Sequence, residues 1–318
     1  MPIDAESDKQ SRFQHSEEAG KPIDFATMRL PCTCGKSDCW TNGLLPLRSH
    51  IAALFRAIVS LGFDERFAGF ERQDDPWPGV IYALSMAGGL TDLSADPTFV
   101  NDDESGLWCS SAWDHDEEDR ALASQYTSGL VVFNFAWTAY EAAIEISAAG
   151  MHEKDKVPVR SRKLLQKEST AASEIRHLDV NYRLARRFCI REQSLKEQIE
   201  KAEAEYKLEP AAAAAELVRV FRNHIVHGRE ALPAYDLQPC WRFYSVTRIL
   251  LLLTQYFILR KISRPEDSVP LSVNQEELGA EPAERYLKNL HYDDLIWRSA
   301  GQIPLRFDGH PSIRDFGV

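Results

Sequence analysis

Apolar residues recur at helical spacing over most of the chain, and this periodicity constrains the fold more than any other sequence feature. In residues 44–63 they follow the i, i+3, i+4, i+7 pattern of an amphipathic helix. Residues 122–149 form a longer apolar-rich segment that Gly150 can end. Two further helices are predicted, one beginning at Pro210 and one over residues 239–262. Since no long alternating strand pattern is present, the sequence predicts a mainly α fold.

The helical signal is uneven, and it divides the 318-residue chain into four predicted parts. Residues 1–24 are polar and acidic, which is typical of a flexible tail. Residues 25–117 contain a Cys-rich loop and many prolines and glycines, so we expect a less regular, α-rich N-terminal region. Residues 118–262 carry the strongest helical pattern and are predicted to form a helical bundle. Residues 263–318 follow it as a C-terminal extension.

The charge of the chain is distributed asymmetrically. Its formal net charge of −11 argues, taken alone, against binding to nucleic acid. Residues 1–156, however, carry a net charge of −14, residues 157–262 of +7, and residues 263–318 of −4. A basic segment inside an acidic protein is a candidate surface for anions. We therefore expect the acidic N-terminal part to screen a basic cleft.

The segment Arg219-Val-Phe-Arg222-Asn223-His224-Ile-Val-His227-Gly228 contains the most informative polar residues. On a helix Arg219, Asn223 and His227 share one face, whereas Arg222 lies about 140° from His227 around the axis. Arg222 and His227 therefore converge on one ligand only if the helix ends or kinks there, as Gly228 permits, or if a second copy of the chain completes the site.

An arginine, a histidine and a carboxamide suffice for RNA cleavage without a metal. The ribose 2′-hydroxyl attacks the adjacent phosphate, a histidine moves the proton, and a guanidinium stabilises the charge that gathers on the phosphoryl oxygens. The alternative is structural, because both histidines are also suited to cap a helix or to hydrogen-bond in the core. Of the two, His224 lies off the shared face and is expected to be structural.

The motif Arg222-Asn223-x-x-x-His227 resembles the Arg-polar-x-x-x-His motif of the HEPN superfamily. These are small helical domains, and many of them are metal-independent endoribonucleases. Residues 133–141, Phe-Asn-Phe-Ala-Trp-Thr-Ala-Tyr-Glu, resemble the earlier helix of such domains, with Asn134 and Glu141 seven residues apart and so nearly on one face. The resemblance covers residues 120–262 and implies a HEPN-like helical bundle.

The resemblance also implies roles for individual residues. Arg222 would hold the scissile phosphate, His227 would act as general acid or base, and Asn223 would orient His227 or the phosphate. Asn134 and Glu141 would support them, although Glu141 is equally suited to be a salt-bridge partner of Arg222 in the resting protein. Because the family builds its cleft from two domains, a homodimer is implied, and no cofactor is expected for catalysis.

Arg229 marks a departure from one branch of the family. Toxins silenced by nucleotide transfer from a partner antitoxin carry a tyrosine two residues after the motif histidine, where this chain has Arg229. Members with long N-terminal regions resemble defence-associated proteins, so a toxin or antiviral-defence role with a partner protein is expected. The alternative function is a non-catalytic HEPN-like module that binds RNA, a nucleotide or a partner protein.

Further basic residues are candidates for RNA binding. Arg183 and Arg187 are interleaved with aromatic residues, and together with Arg219 and Arg229 they are suited to contact phosphates. A solvated helical face explains Arg183 and Arg187 equally well.

The N-terminal region contains a candidate metal site. Cys32, Cys34 and Cys39 offer three thiolates, and His50 or Cys109 would supply the fourth ligand of a structural zinc. The alternative is a reduced loop with incidental cysteines. No signal peptide and no membrane-spanning stretch is apparent, and six cysteines do not indicate a secreted disulfide scaffold. A cytoplasmic protein that does not contact a membrane is therefore expected.

Overall fold

A computed structural model of the protein describes residues 41, 43–62, 77, 79–91, 93–100, 110–230, 238–262, 270–271, 281–282 and 287–292. Over these residues the chain is mainly α-helical, as the apolar periodicity predicts. The helices are α1 Leu47–Gly62, α2 Val80–Gly89, α3 Ser110–Ser147, α4 Val157–Lys167, α5 Ser169–Ala172, α6 Leu178–Cys189, α7 Gln193–Tyr206, α8 Pro210–Val226 and α9 Gln238–Ile262. A 3₁₀ turn spans Pro97–Val100, and the two-residue strands β1 Pro270–Leu271 and β2 Glu281–Pro282 pair antiparallel.

Helices α3 and α9 form the centre of the fold. Helix α9 packs against α1, α3, α6 and α8, and its residues from 242 to 259 are buried. Three aromatic rings join the elements at one end of this packing, with Phe133 of α3 and Phe221 of α8 edge to face at 5.2 Å and Phe221 and Phe243 of α9 at 5.3 Å. Such an aromatic cluster is the kind of packing that holds helices in one arrangement.

Helix α8 is positioned by its own sequence. It begins at Pro210, as predicted, because proline lacks an N–H that the first turn would leave without a partner. The alanines at 211–215 favour the helix and are all buried, and their small side chains allow α8 to approach its neighbour α4 closely. The second half of α8 then carries the candidate site residues.

The N-terminal helices belong to the same hydrophobic core as the rest of the described chain. Helix α2 packs against α1 and α3, and α1 packs against α9. The predicted boundary between residues 117 and 118 therefore falls inside a helix, because α3 begins at Ser110. The acidic run at 114–119 begins one turn after the start of α3. The run therefore lies within a helix but does not indicate its first residue.

The C-terminal extension also contributes to this core. Leu287, Leu290 and Tyr292 are buried. Tyr292 forms a β-bridge with Leu44, and the backbone N–H of Leu45 donates to the carbonyl of His291 at 2.9 Å. Residues of the predicted N-terminal region and of the C-terminal extension thus pack together beside α9.

A buried chain of polar side chains connects these segments. The guanidinium of Arg248 donates to His50 Nδ1 at 2.9 Å, and His50 Nε2 lies 3.1 Å from Gln255 Oε1. The Gln255 amide donates to the carbonyl of Leu287 and lies 3.3 Å from His291 Nδ1. Because arginine can only donate, His50 must carry its proton on Nε2, and the same logic places the His291 proton on Nε2.

Among the helices of the described residues, none is long and apolar enough to cross a membrane.

Candidate functional site

Helix α8 ends at the candidate motif, and its end has a defined geometry. Gly228 has a left-handed backbone with φ +62°. Its N–H donates to Ile225 at 2.9 Å, and the N–H of Arg229 donates to His224 at 3.1 Å. This pair of bonds around a left-handed glycine is a Schellman motif. The helix therefore ends between Arg222 and His227, which is one of the two arrangements that would allow these residues to converge on one ligand.

The two histidines of the motif have different environments. His224 is buried, with Nδ1 3.2 Å from Ser194 Oγ and Nε2 3.4 Å from Glu230 Oε2. His227 caps the helix and is exposed, and no described residue provides its imidazole with a hydrogen-bond or ion-pair partner. The structure therefore places His224 in a structural role, as expected, and leaves His227 open to a ligand.

Arg222 lies on the side of α8 that faces α3. Its guanidinium carbon is 5.6 Å from the centre of the Trp137 ring, at the outer range of a cation–π contact. Within the described part of the chain, no carboxylate lies within ion-pair distance of Arg222. The alternative role predicted for Glu141, a direct salt bridge with Arg222 in the resting protein, is thus not observed.

Glu141 nevertheless belongs to the same group of side chains. Burial raises the pKa of this carboxyl, while the Trp137 indole and the Arg222 guanidinium oppose that rise. The indole N–H is buried and makes no aligned hydrogen bond with a described residue. Arg222, Trp137 and Glu141 therefore form a half-buried group in which the arginine is the only cation.

Asn134 and Asn223 border this group. Asn134 is exposed on α3, one helical turn before Trp137, and its carbonyl accepts a hydrogen bond from Thr138. Asn223 is half-buried, and its carbonyl accepts the backbone N–H of His227 at 3.1 Å. The structure thus shows a backbone hydrogen bond between Asn223 and His227, and no hydrogen bond joins their side chains.

The four arginines predicted to bind RNA are not equally available. Arg219 makes a two-point ion pair with the buried Glu216, at 3.0 and 2.5 Å. Arg183 pairs with Asp179 at 2.9 Å on an exposed face of α6, and Arg187 is half-buried on the same helix. Arg229 is exposed beside His227. Of these four, Arg183 and Arg229 are exposed, and Arg229 is the closer of the two to the motif in sequence.

Five arginines of residues 157–262 form ion pairs within that segment. Arginines of this segment pair with glutamates of the same segment, and two of those glutamates, at 216 and 230, are buried. The pairs are Arg162–Glu216, Arg186–Glu203, Arg219–Glu216, Arg242–Glu230 and Arg260–Glu168. Because both members of each pair belong to this segment, the pairs leave its surplus of +7 unchanged, but they commit five of its arginines to partners within the fold.

The predicted zinc ligands are three cysteines and, as the fourth ligand, His50 or Cys109. Cys32, Cys34, Cys39 and Cys109 lie outside the described residues. His50 is fully buried, and both of its ring nitrogens are engaged, by Arg248 and by Gln255, so it is not available as the fourth ligand. Over the part of the chain that is described, no group of three or more His, Cys, Asp or Glu side chains is arranged to hold a metal.

Three residues that shape this site were not predicted from the sequence: Trp137, Glu230 and Arg242. Trp137 lies three residues after Asn134 and four before Glu141, so its helical spacing would have placed it on their face. Glu230 and Arg242 are twelve residues apart on either side of an interhelical segment, and no local spacing rule links such a pair.

Comparisons of this chain with models of known protein families, with curated proteins and with solved structures find no match.

Proposed function

We propose that the chain is a metal-independent endoribonuclease of the HEPN type, in which Arg222 binds the scissile phosphate and His227 transfers a proton. One observation supports this above the others. The end of α8 presents an exposed histidine, and five residues earlier it presents an arginine that forms no ion pair with a described carboxylate. An imidazole and a guanidinium are groups that suit phosphodiester cleavage.

The proposed reaction needs two proton transfers. The ribose 2′-oxygen loses its proton and forms a bond to phosphorus, while the bond from phosphorus to the 5′-oxygen breaks and that oxygen gains a proton. The products are a 2′,3′-cyclic phosphate and a 5′-hydroxyl. His227 would perform one transfer, and Arg222 would stabilise the charge on the non-bridging oxygens. Asn223 would orient the phosphate or the imidazole.

A homodimer is part of the proposal. One chain supplies a single exposed motif histidine, so a second copy of His227 would complete the acid–base pair. The exposed apolar side chain of Val226, next to His227 and 55% accessible, is compatible with a partner surface at this end of α8. A toxin or antiviral-defence role in the cytoplasm, with a partner or antitoxin protein, would suit such an activity.

The test is RNA cleavage in the presence of EDTA. We expect the wild-type chain to cleave, and His227→Ala and Arg222→Ala to lose about 10²-fold or more of the rate. His115→Ala and Arg56→Ala are matched controls, because both residues lie on described helices outside the site, and they should retain the rate. Mass spectrometry of the products should detect the cyclic phosphate.

Other results of the cleavage assay would contradict the mechanism or favour the alternative function. Cleavage that the chelator abolishes, or that both site variants retain, would contradict the mechanism. A wild-type chain that binds RNA through Arg222 without cleaving it would favour the alternative, a non-catalytic module for RNA, a nucleotide or a partner protein. Growth inhibition on expression, relieved by His227→Ala, would support a toxin role.

A further inference from the structure

We propose that His224, Glu230 and Arg242 are positioning residues for His227: they fix the turn that follows α8 and thereby set the direction of its imidazole. The inference rests on the proposed function of His227 and adds three residues to the site. None of them is expected to touch RNA. They act through the backbone between residues 224 and 230.

The turn is held at two points. The Schellman bonds tie Gly228 and Arg229 back to Ile225 and His224. The side chain of Glu230 then reaches His224 of α8, at 3.4 Å, and forms an ion pair with Arg242 of α9. His227 lies between these two points. Its backbone is therefore restrained on both sides, although its side chain has no described partner.

The restraint is buried and links three helices. The side chains of His224 and Glu230 are 0% and 2% exposed, and that of Arg242 is 8% exposed. Ser194 of α7 holds the other ring nitrogen of His224. Burial would raise the pKa of Glu230, but His224 and Arg242 lower it below its usual value, so the carboxylate remains charged. A buried carboxylate with two such partners has few alternative positions.

The anchor on α9 is itself rigid. Arg242 precedes Phe243, whose ring packs against Phe221 of α8 at 5.3 Å. The same two helices that carry the ion pair are thus locked by an aromatic contact beside it. A displacement of the turn relative to α9 would have to break both interactions.

The position of His227 matters because proton transfer requires the imidazole within hydrogen-bond reach of the reacting oxygen. A misplacement of about 1 Å in a catalytic group reduces rates by about 10²-fold. Substrate binding through Arg222 does not depend on this turn in the same way. Loss of the restraint should therefore lower kcat and leave KM nearly unchanged.

The experiment compares Glu230→Gln with Glu168→Gln in the full-length chain. Glu168 accepts from Arg260 at 2.8 Å and from Tyr256 at 2.5 Å, so it also loses an arginine pair. Arg242 and Arg260 are 18 residues apart on α9, about 27 Å along the helix, so the control leaves the turn untouched. Thermal unfolding of both variants measures how much each substitution lowers the stability of the chain.

We expect Glu230→Gln to lower kcat for RNA cleavage by about 10-fold to 10²-fold with KM within about 2-fold, and Glu168→Gln to keep kcat within about 2-fold. If Glu230→Gln does not fold, Ser194→Ala is the milder variant and should lower kcat alone. Equal losses of kcat in Glu230→Gln and Glu168→Gln, or a Glu230→Gln effect confined to KM, would overturn the inference.

NMR of ring-labelled histidines separates this inference from the proposed function. The His227 signal is assigned by its loss in His227→Ala. We expect it to shift or broaden in Glu230→Gln and to stay unchanged in Glu168→Gln. A wild-type chain that fails to cleave RNA would refute the proposed function, while the NMR comparison would still test the restraint. An unchanged His227 signal in Glu230→Gln would refute the restraint itself.

Discussion

Mild acidification should destabilise this fold, because two histidines inside it are held neutral. His50 and His291 are fully buried. Burial, and then the charge of Arg248, lowers the pKa of each well below the usual 6.5. The other groups nearest to them are Gln255, whose amide can hydrogen-bond either ring, and Arg176, whose backbone carbonyl accepts from His291. None of these provides a carboxylate that would favour a charged imidazole.

The magnitude follows from proton linkage. In the unfolded chain both histidines take up protons as the pH falls through about 6.5, whereas in the folded chain they do not. The unfolded state then binds more protons, so the free energy of unfolding decreases as the pH decreases. Between pH 7.5 and 6.0 each histidine accounts for a loss of about 0.8 kcal/mol, and the two for about 1.6 kcal/mol.

Urea unfolding at the two pH values measures this loss. Other groups also titrate, so the informative quantity is the difference between variants. His50→Gln keeps an acceptor for Arg248 and a donor for Gln255 but cannot titrate, and its loss of stability between pH 7.5 and 6.0 should be smaller than that of the wild type by about 0.8 kcal/mol. The control Arg56→Gln, at an exposed position of α1, should lose the same stability as the wild type. If His50→Gln and the wild type lose equal stability, the neutral-histidine argument is wrong.

Four further predictions concern the packing and the site. Phe221→Ala removes the central ring of the aromatic cluster and should lower the free energy of unfolding by about 3–5 kcal/mol in urea titrations; a loss below 1 kcal/mol would contradict the packing described for α8. In Gly228→Ala the added methyl group meets no neighbouring atom, but alanine is forced into a left-handed backbone. Thermal unfolding should therefore show a free energy of unfolding lower by about 1–2 kcal/mol. An unchanged unfolding midpoint would argue against the Schellman turn. Glu216→Gln should destabilise the chain by about 1–3 kcal/mol, because it leaves Arg219 without its buried partner; equal stability would show that the pair contributes nothing. Deletion of residues 1–62 removes α1 and the contact between His50 and Arg248. The remaining fragment should therefore lack a cooperative thermal transition. Cooperative unfolding of the fragment would instead support the separate N-terminal region that the sequence predicts.

Local sequence signals predicted the four helices named from the sequence, although α3 begins at Ser110, twelve residues before the predicted segment, and they permitted the observed end of α8. Pro210 begins a helix, residues 238–262 form the final long helix, and Gly228 adopts the left-handed conformation that lets the chain turn after Val226. These features depend on backbone hydrogen bonds, propensities and caps that act within a few residues. The mainly α class and the shared face of Asn134 and Glu141 follow from the same short-range rules.

Helical spacing separated His224 from His227, but only the tertiary structure identified the partners that commit polar residues to the fold. His224 and His227 are three residues apart, yet one is buried beside Glu230 and the other is exposed. Arg248 and His50 are in contact across 198 residues, which joins an N-terminal segment to the core of the predicted bundle. Burial and charge pairing depend on residues that chain topology brings together from far apart. A local pattern therefore named the candidate residues, and long-range packing determined which of them remain available for chemistry.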